Sequence, residues 1–132
     1  MILTETKVSG SRAKDIFDRL PFDRAFHANN FGFSCGIWVL WDSTQAELSF
    51  LSSIEQEIHS IVKDFSTNST WLLSAIYASP RYAERQLLWD NFSLVPGLHS
   101  LPWVIAGDFN EMLSGDDKFG GNPISISRAL KF

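Results

Sequence analysis

A single cysteine, Cys35, is all the thiol chemistry that these 132 residues contain. That excludes an internal disulfide framework and any zinc site built from several cysteines; no disulfide-linked partner is expected, and an intracellular compartment is the simpler setting. A small buried apolar residue is the ordinary role for such a cysteine. The three histidines, His27, His59 and His99, lie far apart without ligand spacing, so packing or surface roles are expected and none reads as the histidine of a nucleophile triad. Long apolar runs are also missing. No stretch approaches the roughly 18 residues of a membrane span, and Met1 is not followed by a basic segment and an apolar core of the secretory kind, so no membrane association is expected. The triplets Asn68-Ser69-Thr70 and Asn91-Phe92-Ser93 then read as chance glycosylation matches. Positive charge is scarce, with 11 Lys and Arg against 15 Asp and Glu and a net charge of −4. No global field attracts a polyanion, and any nucleic-acid contact must be local.

Apolar residues, in contrast, make up 45% of the chain, enough for one compact core, and no internal repeat or linker divides it. Aromatics reach 14%, including five Trp and eleven Phe, which suits a sheet-rich interior where flat rings pack against β-branched neighbours. Residues 1–5 read as a strand. Ser9-Gly10-Ser11 offers cap chemistry for a short helix with Ala13, Ile16, Phe17 and Leu20 at helical spacing, stopped by Pro21. Residues 22–28 read as a strand, Asn29, Asn30 and Gly32 as a turn, and Ile37 to Trp41 as a further strand. Residues 46–52 and 56–64 alternate as the arms of a hairpin, and 71–76 reads as a buried strand. Pro80 suits the first turn of a helix striped by Leu87, Leu88, Phe92 and Val95 and ended by Pro96-Gly97. A second buried strand, 101–106, runs straight into Gly107-Asp108-Phe109-Asn110-Glu111, and residues 128–132 read as the opening of a helix.

Polar residues at the end of a buried strand often face a ligand. Asp108 and Asn110 follow one such strand, two residues apart, a spacing that in extended backbone points both side chains to one face. Glu5 ends another. Mg²⁺ needs only one or two carboxylates and keeps several waters, so a sparse set of this kind suffices for it. On composition alone, acids at strand ends are more often solvated turn residues. Two further motifs fail on inspection. The run from Asp108 to Phe119 has Leu113 where a calcium loop requires glycine and Phe119 where it requires glutamate, and Gly120-Gly121 lacks the Lys and Ser/Thr of a P-loop.

Four blocks in order carry a more specific signal: Leu3-Thr4-Glu5-Thr6-Lys7, Gly36-Ile37-Trp38, Ala75-Ile76-Tyr77-Ala78-Ser79-Pro80 and Gly107-Asp108-Phe109-Asn110. Together they resemble the endonuclease/exonuclease/phosphatase superfamily across nearly the whole chain. Ala78-Ser79-Pro80-Arg81 followed by Leu88-Trp89 is similar to the apurinic-type endonuclease domain of plant LINE-like (non-LTR) retroelements. The resemblance implies an α/β fold, a partial four-layer α/β sandwich (DNase I-like) with mixed, mostly antiparallel sheets flanked by helices. It implies Mg²⁺ as cofactor, with Mn²⁺ as a substitute, DNA as partner, and an intracellular location that includes the nucleus. Carried over by position, Glu5 matches the metal-binding glutamate and Lys7 a basic, phosphate-binding residue. Tyr77 matches the tyrosine that approaches the scissile phosphate, Asp108 the aspartate that orients or deprotonates the attacking water, and Asn110 the amide that binds phosphate and stabilises developing charge.

The family also uses an asparagine before the glutamate block and, near its C-terminal end, an aspartate followed by an Asp-His pair. Residues 1–132 are therefore expected to be a single partial domain: a truncated Mg²⁺-dependent phosphodiesterase of the DNA endonuclease type, weakly active or inactive. Two alternatives stay open, a phosphatase or phosphodiesterase acting on small phosphorylated substrates, and a catalytically dead retroelement fragment with a binding role. Strand edges and apolar faces left without partners are expected to cost solubility.

Overall fold

The computed structural model describes residues 1–6, 10–27 and 36–111; Ser9, Lys7, Cys35 and the whole of 112–132 lie outside the described residues. The element order is β1 (Ile2–Leu3), α1 (Gly10–Phe17), β2 (Arg24–His27), β3 (Trp38–Trp41), β4 (Ala46–Ile54), β5 (Glu57–Asp64), β6 (Ser69–Tyr77), α2 (Tyr82–Leu98) and β7 (Trp103–Asp108). Two sheets form, one ordered β1-β3-β2 and the other β4-β5-β6-β7. Every pairing is antiparallel except β6 with β7, which are parallel and joined through α2.

Side-chain alternation sorts the second sheet into two faces. Ile58, Val62, Leu73, Ala75 and Tyr77 point inward, where they meet Ile37 and Val39 of the first sheet, with Ile2, Phe26 and Phe50 packed at the margin. Phe26 and Phe50 stack with centroids 3.8 Å apart, which ties β2 to β4 across the two sheets. The other face carries Ile76 and, beside it, Trp103 and Ile105, covered by Leu88 and Phe92 of α2. The connections are set by local side-chain bonds. Asp64 accepts from the Ser66 amide and from the Ser66 and Thr67 hydroxyls, and Asn68 takes the left-handed conformation (φ 51°) that closes the β5–β6 turn. Asp42 plays the same part for Thr44 and Gln45 between β3 and β4.

Several boundaries differ from those read in the sequence. The first strand is only Ile2–Leu3, because Glu5 turns into positive φ (55°) and leaves the ladder. Helix α2 begins at Tyr82 rather than at Pro80, since Ser79 and Pro80 belong to a hydrogen-bonded loop, and it runs through Pro96 to Leu98. Pro96 lacks one i→i−4 bond, but it stands in the last turn, where few residues follow it, and the neighbouring Val95 is buried. The buried stripe of α2 is Arg85, Leu88, Phe92 and Val95; Leu87 is 62% exposed, one position off the face that meets the sheet. In α1, Ile16 is exposed and only Ala13 and Phe17 are half-buried.

Candidate active site

Strands β6 and β7 run side by side and end together: Tyr77 is the register partner of Asp108, and the Ala78 amide donates to the Asp108 carbonyl at 2.8 Å. The carboxyl ends of parallel strands leave a crevice where the chain departs in loops. An open cleft of about 770 Å³ lies there, lined by Ile2 and Thr4 from β1 and its exit and by the run from Ala106 to Glu111. Glu5 reaches the same end from the opposite sheet. Its Oε1 accepts the Tyr77 hydroxyl at 2.8 Å, although the two residues are 72 positions apart. Tyr77 is itself buried, a ring in the inter-sheet core with its hydroxyl delivered to an exposed carboxylate.

Three residues with positive φ cluster here: Glu5 (55°), Asn110 (47°) and Gly107 (143°). For a glutamate such a conformation carries strain, held by the surrounding contacts. Gly107 admits no substitute, because an added Cβ would stand 1.9 Å from the Ile76 carbonyl oxygen. The spacing predicts that Asp108 and Asn110 share a face of extended backbone, and here the structure differs. The strand ends at Asp108, whose Oδ1 accepts the Asn110 amide at 2.9 Å, and the left-handed turn at Asn110 swings its side chain back to donate to the Ala78 carbonyl at 2.7 Å. The two residues still meet at one strand end, through a turn. Glu5, Tyr77, Asp108 and Asn110 are thus brought together, while Lys7 lies outside the described residues.

Behind the cleft is a set of residues that the sequence reading assigned no role. The Ser79 amide donates to Gln56 Oε1, its hydroxyl donates to Glu84 Oε2, and its carbonyl accepts from Arg85 Nη1 at 2.6 Å. Bonds from Ser79 first, then from Arg81, hold the Glu84 carboxyl below its ordinary pKa. Arg85, fully buried, also donates through Nε and Nη2 to Glu111 Oε2 at 3.1 and 2.9 Å. The signal for Arg85 was present in the sequence as a charged residue in phase with Leu88, Phe92 and Val95.

A second polar group lies under α2. Trp103 Nε1 donates to Ser74 Oγ (2.8 Å), Ser74 Oγ is 2.7 Å from His59 Nδ1, His59 Nε2 is 3.3 Å from Glu57 Oε2, and Glu57 Oε1 accepts from Asn91 Nδ2. The Ser74 oxygen can accept from Trp103 and still either donate to or accept from His59 Nδ1, so both ring tautomers fit this geometry. The order Ser-His-Glu is that of a nucleophile relay, but Ser74 has no exposed surface and Trp103 caps it. It is a core network joining β5, β6, β7 and α2, and His59 has the packing role expected of it.

No protein-family profile and no curated protein matches the sequence. Among solved structures, the human Nocturnin catalytic domain with bound sulfate anion matches with a TM-score of 0.55 at 14% identity, over 84% of this chain. The fold is DNase I-like. It is mixed α/β with two sheets flanked by helices, as the sequence blocks imply. The chain spans about half of that domain, 51% of its length. The cleft lies beside the ends of β1 and β7 and is lined by Asp108 and Glu111, while Glu5 is held near this end by Tyr77, the register partner of Asp108.

Among the described residues no helix is long and apolar enough to cross a membrane, and no three acidic, His or Cys side chains converge as a ready metal cage. The donors at the cleft still fit a hard divalent ion. All are oxygens, and Mg²⁺ takes one or two carboxylates with water filling the remainder. Glu5 is exposed and oriented by Tyr77, and Asp108 is exposed with one oxygen committed to the Asn110 amide.

Proposed function

We propose that the cleft is the metal-dependent site of a phosphodiesterase acting on DNA, of the kind encoded by plant LINE-like retroelements. The observation that carries this reading is the Tyr77–Glu5 hydrogen bond, which fixes a carboxylate of the first sheet beside the strand end that bears Asp108. Support comes also from the sulfate in the Nocturnin domain, a tetrahedral anion with the shape of a phosphate. Glu5 would hold Mg²⁺ or Mn²⁺, which supplies charge neutralisation and polarisation at a phosphoryl oxygen when bound. Asp108 orients the attacking water and accepts its proton. Asn110, anchored by Ala78, presents its amide to the phosphate, Lys7 adds positive charge after the glutamate, and Tyr77 keeps Glu5 aimed.

Two measurements test this. Mn²⁺ titration followed by water-proton relaxation is expected to show weak, hydrated binding that falls by about tenfold or more in Glu5→Gln. Tight binding indifferent to that substitution contradicts the assignment. Supercoiled DNA with Mg²⁺ is expected to be nicked slowly, and Asp108→Ala to abolish the nicking; nicking that persists in Asp108→Ala contradicts the role given to that carboxylate.

A further inference from the structure

Arg85 occupies a core position on α2 and has no exposed surface, and Glu111, its partner, keeps only 6% of its side chain exposed. Burying such a pair brings little stability, because the desolvation of two charges offsets most of their attraction. Leucine or methionine would fill the same space at lower cost. What the pair does provide is a connection. One planar guanidinium donates at 2.6 Å to the Ser79 carbonyl, in the loop after β6, and at 3.1 and 2.9 Å to Glu111, in the loop after β7. Those loops follow the two strand ends that carry the candidate residues: Tyr77, bonded to Glu5, with the Ala78 carbonyl at the end of β6, and Asp108 with Asn110, which line the cleft, at the end of β7. Glu111 follows directly on Asn110, whose left-handed backbone needs restraint from its neighbours.

We propose that Arg85 is a positioning residue for the metal-dependent site, clamping the loop after β6 to the loop after β7. It touches neither metal nor substrate; it sets the distance between Asp108-Asn110 and the Tyr77-Glu5 pair. The proposal rests on the phosphodiesterase reading for its consequence in metal binding, but its geometric content stands apart from that reading. A rigid fork that reaches two acceptors in one plane is the property that arginine has and lysine lacks.

The test uses Arg85→Lys and the double variant Arg85→Met/Glu111→Met, with three readouts: the urea midpoint, Mn²⁺ affinity, and hydrogen exchange at the Asn110 amide against that at Leu73 in the core. Arg85→Lys keeps a charge facing Glu111 and is expected to fold, with Mn²⁺ affinity reduced about tenfold, in the range seen when support behind a metal ligand is removed. The double variant leaves no charge unpaired, so its urea midpoint is expected to return to or above that of Arg85→Lys. Its Mn²⁺ affinity is expected to stay low, and Asn110 to exchange faster while Leu73 does not. Recovery of stability, affinity and Asn110 protection together would overturn the proposal and make the pair mere packing. Should wild-type Mn²⁺ binding be indifferent to Glu5→Gln, the phosphodiesterase reading fails; Asn110 exchange then decides alone, faster exchange in both variants upholding the clamp and unchanged exchange overturning it.

Discussion

Tyr77 brings a polar atom into a core position and uses it at the core's rim. Its ring packs with Ile58, Leu73 and Ala75, and its hydroxyl donates to Glu5 across 72 residues of chain. Removing that hydroxyl leaves the packing intact and frees the carboxylate. Tyr77→Phe is therefore expected to lower Mn²⁺ affinity about tenfold while changing the urea midpoint little, since Glu5 is exposed and regains water. Equal losses of stability and affinity would show that the hydroxyl serves the fold instead. At this scale the sequence was legible in part. Glu5, Tyr77, Asp108 and Asn110 were singled out by their order and by the strands before them, and they do meet. The manner of meeting was not legible, because it depends on left-handed backbone at Glu5 and Asn110, which no side-chain period reports. Arg85 and Glu111 were passed over because a charge reads as solvated unless its partner, 26 residues away, is known.

Among the elements, α2 shows how an apolar pattern can be correct in period and wrong in phase. Leu87 and Leu88 both fit a stripe with Phe92 and Val95, yet Leu88 is 1% exposed against the sheet and Leu87 is 62% exposed. Adjacent leucines should then behave differently. Leu88→Ala is expected to cost about 2–5 kcal/mol through lost burial and a cavity, whereas Leu87→Ala should stay within about 0.5 kcal/mol. Urea denaturation of the two variants checks the orientation of the helix, and equal costs would mean that it is rotated from the arrangement described. The strands were read more securely than the helix ends. Residues 71–76 and 101–106 are apolar runs bounded by polar loops, and both are strands of the second sheet; 46–52 and 56–64 pair as the hairpin their alternation predicts. Helix limits failed because Ser79 and Pro80 are held in a loop by Gln56, Glu84 and Arg85, and because one proline in a final turn does not stop a helix packed through Val95.

For the molecule as a whole, surface carboxylates, Asp23 exposed and Asp42, Asp64 and Glu84 half-buried, bind its turns together. Asp23 is bonded to Ser43, Asp42 to Thr44, Asp64 to Ser66 and Thr67, and Glu84 to Ser79, and each bond lowers the carboxyl pKa from its ordinary value of 3.8 or, for Glu84, 4.5. A carboxyl with a lowered folded-state pKa adds stability that is fully present above the unfolded value and is lost as pH falls through the folded one. Stability is expected to decline as pH drops below 4.5, with most of the loss below 3.8, where the three aspartates protonate. Asp64→Asn should flatten that decline, and an unchanged acid limb in this variant would contradict the turn bonds. The sequence indicated the two-sheet architecture because four blocks, none specific alone, fall in order along the chain, and the DNase I-like match carries the same architecture.

Residues from both sheets, far apart in sequence, are expected to bind one divalent ion under the proposed function. Paramagnetic broadening by substoichiometric Mn²⁺ measures this directly in an amide-resolved NMR spectrum. Coincident broadening at Glu5, at Tyr77 and Ala78, and from Gly107 to Asn110, abolished by Glu5→Gln, is the predicted result. Broadening confined to the carboxylate turns at Asp42 and Asp64, with the amides of Glu5, Tyr77, Ala78 and Gly107 to Asn110 unaffected, would contradict it.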